Sequence, residues 1–404
     1  MGQTSGKETI VIVGAGQAGA SSAERLRKLG FSGRVLMVGA ERHLPYQRPP
    51  LSKKYLSGEW PMKRLLLRPE AFWQDIGVEI LLGCVAENLD LAARTIRLGR
   101  EVVTWDKLLL ATGTLPRNLP GVGADLAGMH VTRGIDDVDA MRDSFVLGNR
   151  LVIIGGGYVG LETAAVARTM GLDVTMVEAA QRILSRVACA QTAAFFADLH
   201  RARGVILIEG ATVKDIEGKG RVTGVALDDR VIPADLVLTG IGVLPETRLA
   251  EDAGIACDDG ILVDRRGRTS APGVWAAGDC ARFDLGGVPT RLENVQNAID
   301  QAANAAEDML GQGSDYAPVP WFWSDHYEVK LQIAGLGTRH DAIVTVKGTA
   351  GRSHWYFRND RLVAVDAIDD AGAFMVAKRL LAAGTSFDPG RLTAPGFEPK
   401  QLLG

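Results

Sequence analysis

At 404 residues the chain is long enough for two or three domains, each with its own core. Its 47% hydrophobic and 23% charged residues are ordinary for a globular protein, and a net charge of −3 gives no broad positive field to recruit nucleic acid. No apolar run approaches the roughly 18 residues that a membrane-spanning helix needs, so neither nucleic acid nor a membrane is expected as a partner, and the expected location is cytoplasmic.

Met1 to Glu8 is a short polar lead-in without the apolar core of a secretory signal. Thr9 to Val13 then reads as a buried parallel strand, because every residue after the first is apolar. It runs through Gly14-Ala15-Gly16-Gln17-Ala18-Gly19 into a predicted helix from Ala20 to Leu29, which Gly30 stops. Arg34 to Val38 is the next strand. The same grammar returns at Leu151 to Ile154, with the turn Gly155-Gly156-Gly157-Tyr158-Val159-Gly160, a helix from Leu161 to Met170 and a strand from Asp173 to Val177 that ends on Glu178.

Two such units imply two doubly wound α/β domains. Lys107 to Leu110 and Leu236 to Leu238 each run into a Thr-Gly turn, Thr112-Gly113 and Thr239-Gly240 with Gly242 beyond. These turns read as crossings, so the second domain is inserted into the first. The expected division is residues 1–114 with 242–318, then 115–241, then a third domain over 319–404. In this last stretch Lys330 to Ile333, Ala342 to Val346 and Arg361 to Val365 alternate as antiparallel strands do, before a helix from Ala373 to Ala383.

A glycine turn between strand and helix has a chemical use. The first glycine allows the tight turn, the second admits a pyrophosphate close to backbone, and the third lets helix pack on strand. The anion then rests on N–H groups at the helix N-terminus. Gly14, Gly16, Ala18 and Gly19 are candidates for one dinucleotide, and Gly155, Gly157, Tyr158 and Gly160 for another. Glu178 lies 18 positions after Gly160, where an acid accepts hydrogen bonds from ribose hydroxyls and repels a 2′-phosphate. That predicts NADH over NADPH. The first unit has no such acid on its strand, since Gly39 and Ala40 follow Val38 and Glu41 comes only afterwards.

The four cysteines, Cys84, Cys189, Cys257 and Cys280, form no CxxC. This argues against zinc, a cysteine-held iron–sulfur cluster or a thioredoxin-type dithiol. Nor does any cysteine lie between Glu41 and Lys53.

The run Leu44-Pro45-Tyr46-Gln47-Arg48-Pro49-Pro50-Leu51-Ser52-Lys53, Glu162 behind the second glycine turn, Gly278-Asp279-Cys280 and Pro320-Trp321-Phe322-Trp323-Ser324-Asp325 occur in that order. Together they resemble the FAD-dependent ferredoxin reductases of bacterial oxygenase systems, the group that includes putidaredoxin reductase and the reductase components of aromatic-ring dioxygenases. The resemblance spans essentially the whole chain. It implies a glutathione-reductase-like architecture with FAD in the first domain, NADH in the inserted one, and a [2Fe–2S] ferredoxin that feeds a cytochrome monooxygenase or a ring-hydroxylating dioxygenase.

Carried onto this chain, the resemblance puts Lys53 near the flavin and paired with Glu162, with Trp323 beside the isoalloxazine ring. These three are the catalytic candidates. Arg48, Val85, Thr112, Arg133, Asp279, Val295 and Gly242 complete the cofactor-binding candidates. The chain departs from the group at Ala40, which replaces an acid, and at His326, which stands where relatives usually carry glutamine. Lys63, Arg64 and Arg68, with Lys330 and Arg339, are candidates to steer an acidic ferredoxin transiently, and a monomer or weak dimer is expected. Two alternatives stay open: a rubredoxin or quinone reductase, and a redox-sensing flavoprotein of the apoptosis-inducing-factor kind.

Overall fold

The computed structural model describes residues 8–119, 123, 125–348 and 351–403, so most of the polar lead-in lies outside the described residues. The chain divides into two compact units. One comprises residues through Gln47, Lys63–Leu115 and Val243–Pro318, and the other Arg48–Met62, Pro116–Gly242 and Val319–Gly404.

The first unit is built on a five-stranded parallel sheet in the order Val274–Ala276, Lys107–Leu110, Thr9–Val13, Arg34–Gly39, Val78–Leu82. Its strands are apolar throughout because both faces are covered. Ile10, Ile12, Val35, Met37 and Leu109 pack with the helices Gln17–Lys28 and Val295–Met309. Val11, Val13, Leu36, Val38, Leu108 and Leu110 face the opposite way, onto Leu89, Ile96 and Leu98 of an antiparallel meander. The two helices meet through small residues, Ala20 and Ala23 against Ala298, Ala302, Ala305 and Ala306, which lets their backbones approach closely. Arg25 bonds Glu307 across the same seam.

The second unit carries its own five-stranded parallel sheet, ordered Ile206–Glu209, Asp173–Glu178, Arg150–Ile154, Leu236–Thr239, Met129–His130. Val152, Ile154, Val177 and Val237 bury one face of it against Ile216, Val225 and Ile232 of a small antiparallel sheet. Each glycine-turn helix begins earlier than expected, at Gln17 and at Tyr158, so the last residues of each turn already form the first helical turn.

The segment from Val319 onward forms a five-stranded antiparallel sheet in the order Trp321–His326, Val329–Gly335, Arg361–Ile368, Arg352–Arg358, Ala342–Lys347. The helix Ala371–Ala383 covers it with Ala373, Phe374, Ala377 and Leu380 on Trp355, Phe357, Val365 and Ala367. By contact this segment falls in the same unit as Pro116–Gly242, as does Arg48–Met62.

Candidate active site

The two glycine turns are built alike. Gly14 adopts φ +118, and a Cβ placed on it would stand 2.0 Å from the Ala111 carbonyl oxygen, while one on Gly19 would stand 1.9 Å from the Gly14 oxygen. Gly155, at φ +108, would meet the Gly240 oxygen at 2.4 Å, and Gly160 the Gly155 oxygen at the same distance. Outer glycines are therefore required by the fold itself. The middle ones are not: a Cβ on Gly16 or Gly157 would have nothing within 4 Å. Each of these is the N-cap of a 12-residue helix that no side chain caps. An open glycine at an uncapped N-terminus fits a pyrophosphate. Ala18 is buried beside Gly278, whose N–H is held by the Gln301 side chain at 2.9 Å.

Glu178 stands at the end of its strand with both oxygens engaged. Oε2 accepts from the Gly156 N–H at 2.6 Å and Oε1 from the Ala180 N–H at 2.7 Å. The carboxylate thus holds the second turn in shape and keeps its remaining lone pairs for hydroxyl groups. Thr112 spends its hydroxyl elsewhere, donating to the Glu246 carbonyl at 2.5 Å where the chain returns to the first unit. Gly242, at φ +104, accepts from the Arg117 N–H at 3.0 Å and lies beside the Arg186 guanidinium.

Lys53 and Glu162 are together in the second unit, Nζ to Oε1 at 2.9 Å, with the carboxylate almost wholly buried. Two hydroxyls complete it: Ser52 donates to Oε2 at 2.6 Å and Ser324 to Oε1 at 2.5 Å. A buried carboxylate survives only when so many donors replace its water. The segment bearing Lys53 is pinned by Tyr55, whose hydroxyl donates to Asp139 at 2.8 Å and whose ring lies under Arg142. Arg48 donates to the Arg133 carbonyl, so these two candidates lie together. Ser52 and Ser324 stand in the motif runs read from the sequence but were given no role there. Their hydroxyls matter only through Glu162, which lies far from both in the chain.

In the first unit Asp279 is half-buried, its carbonyl bonded by Arg291 at 3.2 Å, Val295 opens the helix Val295–Met309, and Val85 is 58% exposed. Trp323 is half-buried on the strand Trp321–His326, its ring tilted beside Trp321 at 5.7 Å between centroids. Phe322, on the opposite face, lies against Tyr158 of the second glycine turn at 4.4 Å.

All four thiols are free. Cys280 is fully buried and donates weakly to the Ala277 and Leu110 carbonyls, and burial raises its pKa. The Cys257 thiol is pushed up to about 11 for the same reason. A thiol kept protonated is a poor nucleophile. All five basic residues expected to steer a partner are exposed; Arg68 pairs with Glu24 at 3.1 Å and Lys330 with Asp325 at 3.9 Å.

Two cradles of one design, each opening a helix at the carboxyl end of a parallel sheet, define a two-dinucleotide α/β oxidoreductase. Residues 8–302 match the pyridine nucleotide-disulphide oxidoreductase family and residues 321–403 the reductase C-terminal domain. The chain is 42% identical to a ferredoxin–NAD(P)+ reductase of Sphingomonas sp, over 98% of this chain and 97% of that one. It is 35% identical, over 96% of each, to the ferredoxin–NAD+ reductase component of the p-cumate 2,3-dioxygenase system of Pseudomonas putida. A crystal structure of a covalent putidaredoxin reductase–putidaredoxin complex superposes with a TM-score of 0.95 at 34% identity, covering 98% of both chains. The chain belongs to the ferredoxin reductases of the pyridine nucleotide-disulphide oxidoreductase family, which use FAD and NAD(P)H.

Proposed function

We propose that this protein takes reducing equivalents from NADH and passes them, through FAD, to a [2Fe–2S] ferredoxin that supplies a cytochrome monooxygenase or a ring-hydroxylating dioxygenase. The observation that carries the reading is the pair of glycine cradles, each closed at its outer positions and open at its middle one. The relatives support the acceptor: one is named for its part in a dioxygenase system, and another was crystallised joined to its redox partner.

FAD, when bound, supplies the step from two-electron to one-electron chemistry. The chain's own residues do the rest. In the first unit, the turn around Gly16 offers backbone N–H groups to the pyrophosphate of FAD, with Asp279, Val295 and Val85 as further lining. In the second, the turn around Gly157 receives NADH, and Glu178 accepts from the adenosine ribose. Lys53, Arg48, Arg133 and Trp323 of the second unit would be the further residues that hold FAD. Glu162 holds the Lys53 ammonium in place, so a positive charge balanced by a buried carboxylate stands ready beside a ring that gains negative charge. With no disulfide among the four cysteines, and with burial pushing the Cys84, Cys257 and Cys280 thiols up, electrons go directly to the partner without a sulfur relay. The exposed Lys63 and Arg64 offer an acidic ferredoxin a basic approach.

The test is to reduce the purified yellow protein with NADH without oxygen, then offer it a panel of [2Fe–2S] ferredoxins and follow cytochrome c reduction. Fast bleaching and ferredoxin-dependent cytochrome c reduction are expected. Bleaching without transfer to any ferredoxin, but with fast transfer to rubredoxin or a quinone, would replace the acceptor named here.

A further inference from the structure

Ser324 and His326 share one face of their strand, and both are fully buried. The His326 ring packs on Phe196, and His200 stands four residues further along the same helix, Ala190–Ala202. Beyond His200 comes Tyr327, half-buried, with its ring under the Arg203 guanidinium.

The bonds between these groups allow one arrangement of protons. Ser324 Oγ donates to Glu162 Oε1 and so accepts from His326 Nε2 at 3.0 Å. A neutral imidazole has one N–H and one lone pair. His326 Nδ1 therefore accepts from His200 Nε2 at 3.3 Å, and His200 Nδ1 in turn accepts from the Tyr327 hydroxyl at 3.5 Å. Every donor points from Tyr327 towards Glu162.

We propose that Tyr327, His200, His326 and Ser324 form a proton path between solvent and the Lys53–Glu162 pair, by which Glu162 gains a proton when negative charge builds up beside it and returns the proton when that charge leaves. The charge in question is that of the reduced flavin, so the proposal rests on the function proposed above.

In the inward passage a solvent proton binds Tyr327 Oη as that hydroxyl's own proton moves to His200 Nδ1. The His200 Nε2–H bond breaks as one forms at His326 Nδ1. The His326 Nε2 proton passes to Ser324 Oγ, and the Ser324 proton to Glu162 Oε1. For each bond formed one breaks, no electron changes centre, and one positive charge moves from solvent to the carboxylate. Both imidazoles end in the opposite tautomer, so the path now points outward and its next event is release of that proton.

Burial lowers the His200 pKa to about 4 and that of His326 well below the ordinary value, so both stay neutral near pH 7, the state that relays. Lys53 and His200 add to the lowering at His326. Around Tyr327, pushed up to about 12 by burial, stand Arg203, Arg168 and Glu328. Phe196 supplies the apolar wall.

His326→Gln keeps a donor and an acceptor but cannot exchange tautomers, and His200→Gln does the same one link outward. Each flavin-loaded protein is mixed with NADH without oxygen in weak buffer containing phenol red, and bleaching and dye are followed together. Hydride transfer itself takes no proton from water, so the dye reports uptake by the protein. Wild type is expected to take up protons in step with bleaching, whereas in either variant uptake lags its own bleaching tenfold or more. No uptake in wild type, or uptake in step with bleaching in both variants, would overturn the path. Imidazole 15N spectra of the wild type give a second readout: both rings neutral with the proton on Nε2 is expected, and an Nδ1 proton on either ring overturns the proposal. If NADH never bleaches the wild type, the electron-transfer reading fails, and the spectra still decide the arrangement of protons.

Discussion

At Gly14 and Gly16 one residue type serves two purposes. The first is walled in by the Ala111 backbone and the second opens on empty space. Gly14→Ala forces backbone against backbone and should destabilise the fold by about 3 kcal/mol, in the range of overpacked or strained positions. Gly16→Ala should leave the melting temperature within about 1 °C, since nothing stands near the added methyl. It should nonetheless lower the flavin retained after purification at least tenfold, because the methyl occupies the place where a pyrophosphate approaches. Melting curves and the ratio of flavin to protein absorbance separate the two. His326 repays the same attention. The departure at this position was visible in the sequence, but its partner His200 was not, because a single histidine on an amphipathic helix gives no sign of a second ring packed against it. Only the fold, bringing the strand Trp321–His326 to the helix Ala190–Ala202, makes the pair.

Whole elements show what periodicity can and cannot reveal. Thr9–Val13, Arg150–Ile154 and their parallel neighbours were legible because strands covered on both faces must be continuously apolar. Arg352–Arg358 was not, because Ser353 and His354 are buried polar residues in a strand buried at five successive positions. The Trp355 indole donates to Ser353, and Thr345 bonds His354 at Nδ1, so partners offset part of the polarity where no pattern announces it. The strand Asp173–Glu178 ends in a residue whose position was readable and whose grip on the turn was not. Glu178→Ala removes an acceptor from the Gly156 N–H as well as the proposed ribose contact. It should raise KM for NADH roughly tenfold, the worth of about 1.4 kcal/mol, and narrow the preference for NADH over NADPH. Steady-state kinetics with both nucleotides check this, and an unchanged ratio would remove Glu178 from nucleotide selection.

Across the whole molecule, buried titratable groups set how stability responds to acid. Burial lowers His200 and His354 to about 4, and His326 in the same direction. Each binds its proton more readily when unfolded, so its contribution is complete above about pH 6.5 and drains away as pH falls towards 4. Asp366 works oppositely. Burial raises its pKa to about 6 despite bonds from Thr192 and Tyr356, so what it contributes is present below its unfolded value and lost as pH rises through 6. Three histidines outweigh one aspartate. The melting temperature should therefore fall between pH 6.5 and 4.5, less steeply in His354→Gln and more steeply in Asp366→Asn; a flat wild-type profile would contradict this.

The alanine seam between Gln17–Lys28 and Val295–Met309 bears on biosynthesis. Arg25 and Glu307, which bond across it, are 282 positions apart. At ribosomal speeds of about 5–20 residues per second, the first helix waits roughly 15–60 s for its partner to be made. Throughout that interval its small-residue face is uncovered, and the whole of residues 115–241 is made before the helix that covers it.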